Sequence, residues 1–224
     1  MGVATDGHVG TGDLTSDEAV VAYFGDGASS QGDVNESFIF ASSYNAPVVF
    51  FCQNNQWAIS EPIERQSKIP LYRRAHGFGF PGLRVDGNDV LAVYAVTQWA
   101  LDRARNGEGP ALIEAFTYRM GAHTTSDDPT KYRPNAELES WQRKDPIERV
   151  RTYLLRTGAI DQGFLDDLQT ESDDVAADLR ARTLALPDPD LGDSFNLVFA
   201  EQTNHLREQQ ASYRDYVDSF TEEG

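Results

Sequence analysis

The sequence contains little cysteine, little lysine and no long apolar run. Its one cysteine, Cys52, excludes an intrachain disulfide and fits a reducing compartment. No stretch approaches the roughly 18 to 20 apolar residues of a membrane span. The first residues show no basic region followed by an apolar one, so a signal peptide is not predicted. We therefore expect a cytoplasmic protein with no membrane partner.

Positive charge is also scarce. Lys and Arg together number 19, against 36 Asp and Glu, so the net charge is -17. Self-repulsion of this size argues against a nucleic-acid partner. Two interpretations stay open, an ordinary acidic cytoplasmic protein and a halophilic one whose carboxylates hold water at high salt.

Short apolar runs alternate with segments of helical spacing. The runs predict buried strands at 19–24, 48–52, 82–87 and 111–116, and the spacing predicts helices over 33–44 and 89–105. This alternation is typical of βαβ units with right-handed crossovers. The predicted fold class is therefore α/β, a parallel sheet with flanking helices.

Changes in composition and periodicity divide the chain into three parts. Residues 1–18 are expected to form a loop-like lead-in, 19–136 an α/β domain, and 137–224 a helical C-terminal extension. Within the extension, helical stretches are expected at about 147–185 and 194–219, separated by Pro187-Asp188-Pro189. The polar, aperiodic segment 120–134 is long enough to predict a functional loop.

Polar motifs follow the first two predicted strands. Gly25-Asp26-Gly27 ends the first, and Asn54-Asn55 ends the second, with Asn55 lying 29 residues after Asp26. Neighbouring parallel strands would bring both side chains to the sheet edge where ligands bind. Carboxylate and amide oxygens suit magnesium, which also keeps phosphate oxygens among its ligands. Gly27 and Ala28 are expected to open the next helix and to turn their N–H groups toward phosphate.

The paired motifs resemble those of thiamine diphosphate enzymes, and the likeness extends beyond them. Residues 25–60 resemble the alpha subunit of the heterotetrameric 2-oxoacid dehydrogenase decarboxylase, found in the pyruvate and branched-chain 2-oxoacid dehydrogenase complexes. Segments 84–89, 118–128, 144–147 and 206–210 resemble it as well. The resemblance covers nearly everything from residue 19 onward and implies a thiamine diphosphate-binding fold, here N-terminally shortened.

The resemblance also implies roles for individual residues. It implies that Asp26 and Asn55 bind Mg²⁺ through their side chains, and Trp57 through its backbone carbonyl. It places Gly27, Ala28 and Gln53 at the diphosphate of thiamine diphosphate. It implies that His123 faces the diphosphate and the reacting thiazolium as a catalytic residue. Loop-ordering hydrogen bonds are implied for Arg119, Asp127, Tyr132 and Arg133, and Thr124 matches a regulatory phosphorylation site of some relatives.

The implied activity is oxidative decarboxylation of a 2-oxoacid, either pyruvate or a branched-chain one. The implied partners are a beta subunit, which supplies the glutamate that activates the cofactor, and the lipoyl domain of the acyltransferase component, which takes the acyl group. The alpha chain would anchor the diphosphate and neutralise its charge with magnesium.

Three alternatives remain open at this point. A close variant is the alpha subunit of acetoin dehydrogenase. Relatives carry a long segment before the first predicted strand, so the chain is expected to be a natural short form or a fragment, and a truncated, non-catalytic remnant is the second alternative. The third is a phosphate-binding α/β module with magnesium and without thiamine, which would need neither Asn54-Asn55 nor the His123 loop.

Overall fold

The computed structural model describes residues 8–13 and 16–220. In the described part of the lead-in, residues 8–13 and 16–18 form neither helix nor strand, and the rest of that prediction lies outside the described residues. The chain forms two compact units, Met1–Ile160 and Asp161–Gly224. The domain division predicted from the sequence, with a boundary at residue 136, stays a prediction.

The first unit contains six strands among its described residues. They are β1 (Val20–Gly25), β2 (Val48–Asn54), β3 (Trp57–Ala58), β4 (Glu61–Pro62), β5 (Gly82–Asp86) and β6 (Ala111–Phe116). The four longer strands form one parallel sheet in the order β1-β2-β6-β5, and β3 and β4 form a small antiparallel hairpin. The predicted α/β class with a parallel sheet is confirmed, and each of the four predicted strands is present.

Helices flank the sheet and continue beyond it. In the first unit they are α1 (Gly32–Ser43), α2 (Ile63–Gln66), α3 (Arg74–Gly77), α4 (Val90–Arg105), α5 (Asn135–Gln142) and α6 (Pro146–Thr157). The second unit contains α7 (Gln162–Leu184), α8 (Asp193–Asn196) and α9 (Asn204–Asp218). C-terminal helices are thus present as predicted. None of the described helices is both long and apolar enough to cross a membrane.

The helix expected over 147–185 is in fact two helices. Gly158 adopts φ 70 at the end of α6, a left-handed conformation that favours glycine at a helix C-terminus. Asp161 then caps α7, its carboxylate accepting a hydrogen bond from the N–H of Phe164 at 2.9 Å. A glycine stop and an aspartate start three residues apart therefore end one helix and begin the next.

Each face of the sheet packs against helices. On one face Phe38 of α1 lies at the centre, in edge-to-face contact with Phe50 at 4.7 Å between ring centroids. On the other face Val49 and Ile113 pack against Ala100 and Ala104 of α4. The small alanines let α4 lie close to the sheet, whose parallel strands have their carboxyl ends at one edge. Those carboxyl ends carry the predicted site.

Candidate functional site

Asp26 follows β1 directly and is almost completely buried, with 1% of its surface exposed. Its Oδ1 accepts a hydrogen bond from the N–H of Asn55 at 3.2 Å, and its Oδ2 accepts one from Nε2 of Gln66 at 3.2 Å. Burial raises the pKa of Asp26 above its ordinary value, and these hydrogen bonds offset only part of that effect. No Lys, Arg or His of the described residues forms a salt bridge with this carboxylate. A nearby cation would therefore stabilise its charged form.

Asn55 lies beside Asp26 because β1 and β2 are adjacent parallel strands. Gly25 pairs with Gln53 in register, so the chain emerges from both strands at one level. Oδ1 of Asn55 accepts a hydrogen bond from the N–H of Trp57 at 3.1 Å, which closes a tight turn. The predicted juxtaposition of Asp26 and Asn55 is confirmed.

The backbone of this turn is strained. Gln56 has φ 71 and Ile59 has φ 56, both in the left-handed region that residues other than glycine rarely adopt. Nε2 of Gln56 donates a hydrogen bond to the carbonyl of Thr117 at 2.7 Å, which ties the turn to the end of β6. The turn leads into the β3–β4 hairpin, which places Trp57 next to the Asp26 edge.

Gly27 and Ala28 do not open the long helix, so that detail of the prediction is wrong. Residues 28–30 form a short 3-10 turn, and α1 begins only at Gly32. Within the described residues, the N–H groups of Gly27 and Ala28 donate to no acceptor. Gly27 also faces the hairpin closely, because a Cβ added there would lie 2.9 Å from Cβ of Ala58. The two free N–H groups and this close approach are compatible with a diphosphate lying against the turn.

The donor set fits a magnesium diphosphate better than a transition metal. Asp26, Asn55 and Trp57 offer a carboxylate, an amide and a backbone oxygen, all hard ligands. No group of three or more His, Cys, Asp or Glu suited to a metal ion occurs among the described residues. A magnesium ion held by one carboxylate would need further oxygens from a ligand, and a diphosphate would supply them.

Arg119 joins this edge to the loop after β6. Its Nη1 donates to the carbonyl of Trp57 at 3.2 Å, and its Nη2 donates to the carbonyl of Ile59 at 2.6 Å and to the hydroxyl of Tyr132 at 2.9 Å. A carbonyl oxygen has two lone pairs, so the Trp57 oxygen keeps one for a second partner. The same guanidinium also partly stabilises the charged form of Asp26.

The same chain of hydrogen bonds extends to His123. The Tyr132 hydroxyl donates to Oδ2 of Asp127 at 2.7 Å, and the backbone N–H of His123 donates to that oxygen at 2.8 Å. These two hydrogen bonds lower the pKa of Asp127 below its ordinary value. The His123 side chain is exposed and makes no hydrogen bond with Asp26 or Asn55. The structure thus links His123 to the site through its backbone.

Arg133 holds the first part of the loop. It is buried, and its guanidinium donates to the carbonyls of Arg119, Met120 and Gly121. The predicted hydrogen bonding by the four loop residues is therefore confirmed. Thr124 is exposed, with its hydroxyl 3.2 Å from that of Ser126.

Gln53 stands apart from this cluster. It is the penultimate residue of β2 and its side chain is exposed. The predicted residues that the structure brings together are Asp26, Gly27, Asn55 and Trp57, with Ala28 beside them in the chain. Gln53 lies at the rim, and His123 lies in the adjoining loop.

Sequence reasoning missed two residues of the site. Gln66 of α2 reaches Asp26 across 40 positions of sequence, and no local pattern indicates this contact. Glu114 is fully buried in β6 and bonds Asn54. A single carboxylate inside the apolar run Ala111–Phe116 was the signal that could have identified it.

Comparisons with known proteins identify a family and several relatives. The family described as Dehydrogenase E1 component matches residues 11–183. The chain is 48% identical over 202 residues to 3-methyl-2-oxobutanoate dehydrogenase subunit alpha of Mycobacterium tuberculosis (strain ATCC 25618 / H37Rv), covering 90% of this chain and 55% of that protein. It is 40% identical over 209 residues to pyruvate dehydrogenase E1 component subunit alpha of Acholeplasma laidlawii, covering 91% and 60%. It is 38% identical over 209 residues to the mitochondrial 2-oxoisovalerate dehydrogenase subunit alpha of Homo sapiens, covering 92% and 47%. The chain spans about half the length of these curated relatives.

Proposed function

Because the chain belongs to the dehydrogenase E1 component family, we propose that it acts as the alpha chain of a thiamine diphosphate-dependent 2-oxoacid dehydrogenase. One observation carries the proposal. The buried Asp26 carboxylate, the Asn55 side chain and the Trp57 carbonyl belong to one hydrogen-bonded edge of a parallel sheet. The family depends on thiamine diphosphate, and this edge offers the oxygen donors that its magnesium ion would need.

Under this proposal the chain binds the diphosphate end of the cofactor. Asp26 and Asn55 hold Mg²⁺ through side-chain oxygens, and Trp57 holds it through its carbonyl. Gly27 and Ala28 donate their free N–H groups to the diphosphate, and Gln53 contacts it from the rim. Thiamine diphosphate, when bound, supplies a thiazolium ring that accepts the electron pair released as carbon dioxide leaves.

His123 would act on the acyl group rather than on the metal. The bonds from Arg119, Tyr132 and Asp127 fix the backbone around His123 and leave its imidazole exposed. We propose that this imidazole assists acyl transfer, electrostatically or by moving a proton at the acyl oxygen. The acyl group would pass to a lipoyl group of the acyltransferase component, and a beta subunit would complete the active site. Phosphorylation of the exposed Thr124 would add negative charge to this loop and oppose that transfer.

The substrate proposed is a short 2-oxoacid. The names of the relatives specify pyruvate and one branched-chain 2-oxoacid, 3-methyl-2-oxobutanoate, which is also called 2-oxoisovalerate. The assay therefore compares pyruvate with branched-chain 2-oxoacids and includes acetoin. The chain is expressed with a beta subunit in high salt, and reduction of an artificial electron acceptor is followed with Mg²⁺ and thiamine diphosphate present. Turnover of a 2-oxoacid supports the proposal. Turnover of acetoin alone favours an acetoin dehydrogenase, and an assembly that neither turns over nor retains cofactor favours a non-catalytic remnant.

Asp26→Ala tests the metal assignment directly. The substitution removes the only carboxylate of the donor set, so we expect the assembly to lose retained thiamine diphosphate on gel filtration. Asp17→Asn is a matched control, because Asp17 is also buried but accepts its hydrogen bonds from Thr11. Unchanged cofactor retention in Asp26→Ala would refute the assignment of Asp26 as a magnesium ligand.

A further inference from the structure

A second buried carboxylate lies beside the turn and has no part in the proposed chemistry. Glu114 belongs to β6 and is 0% exposed. Its neighbours in register are Cys52 of β2 and Arg84 of β5. The surrounding core consists mainly of apolar side chains, so an ionised group here requires specific partners.

Donors from three other segments contact the Glu114 carboxylate. Nδ2 of Asn54 donates to Oε1 at 2.7 Å, and the backbone N–H of Tyr72 donates to Oε2 at 3.0 Å. Nη2 of Arg84 lies 3.4 Å from Oε1. The Arg84 guanidinium also lies 3.6 Å from the centroid of the Phe116 ring. Asn54 and the Tyr72 N–H each hold one oxygen, so the carboxylate has one defined orientation.

Stability alone does not account for this group. Replacing buried ion pairs by well-packed apolar side chains is often neutral or stabilising, since desolvation of the charges opposes their attraction. Glu114 also fixes the orientation of the Asn54 side-chain amide. Because Nδ2 of Asn54 is held by Glu114, Oδ1 of Asn54 faces the N–H of Gln56 and accepts its hydrogen bond at 3.0 Å.

The Asn54 side chain thereby fixes the start of the Asn55–Trp57 turn. Gln56 is the residue with φ 71, and the next hydrogen bond of the turn joins Oδ1 of Asn55 to the N–H of Trp57. Two overlapping turns, each closed by an asparagine Oδ1 that accepts from the N–H two residues later, therefore depend on the orientation of the Asn54 amide. If that amide rotates, Gln56 loses its acceptor and the strained backbone can relax.

We infer that Glu114 is a positioning residue, which orients Asn54 and so holds the Asn55–Trp57 turn in the geometry that binds the divalent cation. The inference rests on the proposed function for the identity of the ligand. It concerns a residue that touches neither metal nor diphosphate and acts entirely through the Asn54 side chain.

Hydrogen-bond polarity provides a sharp test. In Glu114→Gln one accepting oxygen becomes an NH₂ group, which must face either the Asn54 amide or the Tyr72 N–H, both of them donors. Rotating Asn54 only transfers the mismatch to the N–H of Gln56. Asn54→Asp alone places two carboxylates together. The double substitution Asn54→Asp with Glu114→Gln again pairs a donor with an acceptor at Gln56, at Tyr72 and between positions 54 and 114, because the new aspartate accepts from the new glutamine. Only the 3.4 Å approach of Arg84 loses its carboxylate oxygen.

Two measurements follow these variants. In the full chain without cofactor, hydrogen exchange with mass spectrometry reports on the amides of residues 55–57. In the assembly with the beta subunit, titration calorimetry gives the Kd for Mg²⁺ at saturating thiamine diphosphate. Each single variant is expected to exchange faster and to raise the Kd about tenfold or more. The double variant is expected to return to within about threefold of the unsubstituted protein. Glu108→Gln, on an exposed residue, is the control and should change neither quantity.

The outcomes separate cleanly. Rescue by the double variant supports the inference, and this holds even if a single variant fails to fold. Unchanged exchange in Glu114→Gln overturns it, as does a double variant that stays impaired or does not fold. If the unsubstituted assembly binds neither Mg²⁺ nor thiamine diphosphate, the proposed function fails, while exchange at residues 55–57 still decides whether Glu114 holds the turn.

Discussion

Gly27 offers the most direct test of how the site is packed. Its backbone has φ -59 and ψ -43, which any residue adopts, so backbone freedom does not require glycine here. The lack of space requires it instead, because a Cβ at this position would lie 2.9 Å from Cβ of Ala58 and 3.6 Å from its Cα. Carbon atoms in good contact are about 3.5–4.0 Å apart. Gly27→Ala must therefore move the two segments apart by roughly 0.6–1.1 Å.

Ala58 directly follows Trp57 in the β3 strand, so this movement displaces the Trp57 carbonyl. Overpacking of this kind costs about 1–3 kcal/mol, and each kcal/mol lowers the Tm by about 2–4 °C in a chain of this size. We expect Gly27→Ala to lower the Tm and to weaken Mg²⁺ binding. Thermal unfolding by circular dichroism and calorimetric titration with Mg²⁺ measure the two effects.

Two further variants complete the test. Adding Ala58→Gly removes the opposing Cβ and should restore Mg²⁺ binding, with a remaining cost of about 0.5–1 kcal/mol for a glycine in a strand. Gly77→Ala serves as the control, because nothing lies within 4 Å of a Cβ added there. If Gly27→Ala matches the unsubstituted protein, or if Ala58→Gly fails to rescue binding, the proposed contact between the turn and the hairpin is wrong.

Two other predictions concern arginines. Arg133→Lys puts a single ammonium group in place of a guanidinium that donates hydrogen bonds to three backbone carbonyls. We expect hydrogen exchange in the loop after β6 to accelerate, corresponding to a loss of about 1–3 kcal/mol of local stability. Unchanged exchange would contradict this. Partial burial alone would raise the pKa of Asp86, but hydrogen bonds from Arg149 and the N–H of Asn88 lower it below its ordinary value. The contribution of this pair is therefore present above the unfolded-chain value near ~3.9 and is lost as the pH falls through the lower folded value. Both side chains are about half exposed, so Arg149→Ala should lower the urea midpoint only slightly at pH 7. Urea unfolding should show that difference shrinking in acid, and a difference that grows in acid would exclude the assigned sign.

Local sequence was sufficient to predict the sheet. The apolar runs at β1, β2 and β6 are bounded by Gly, Asn and Pro, and the observed strands begin or end within two residues of those limits. The extent of the first unit depends on distant partners, which local sequence does not reveal. Arg149 of α6 bonds Asp86 at the end of β5, and the carbonyl of Lys144 accepts a bond from Asn88. Such contacts tie α5 and α6 to the first unit, and periodicity does not reveal them.

The same difference between local signals and contacts with distant residues applies to the site. Asp26 and Asn55 could be predicted because the ends of adjacent parallel strands meet, a rule that needs only the order of the elements. The contact of Gln66 could not, because its partner lies 40 positions away. Glu114 is visible as a lone carboxylate in an apolar run, but its partner Asn54, 60 positions away, is not. The assignments of magnesium, of the diphosphate contacts and of salt adaptation stay predictions.

The left-handed residues of the turn have a consequence for how the protein could be improved. Ile59 is β-branched, exposed and held at φ 56, a conformation that costs about 1–2 kcal/mol for a residue with a Cβ. A selection for heat resistance would therefore favour glycine or asparagine here. Yet the Ile59 carbonyl is the one that Arg119 contacts at 2.6 Å, and that contact joins the hairpin to the His123 loop. Because that contact uses a backbone carbonyl, which glycine and asparagine also carry, such a substitution should raise thermal tolerance and keep the link between the hairpin and the loop.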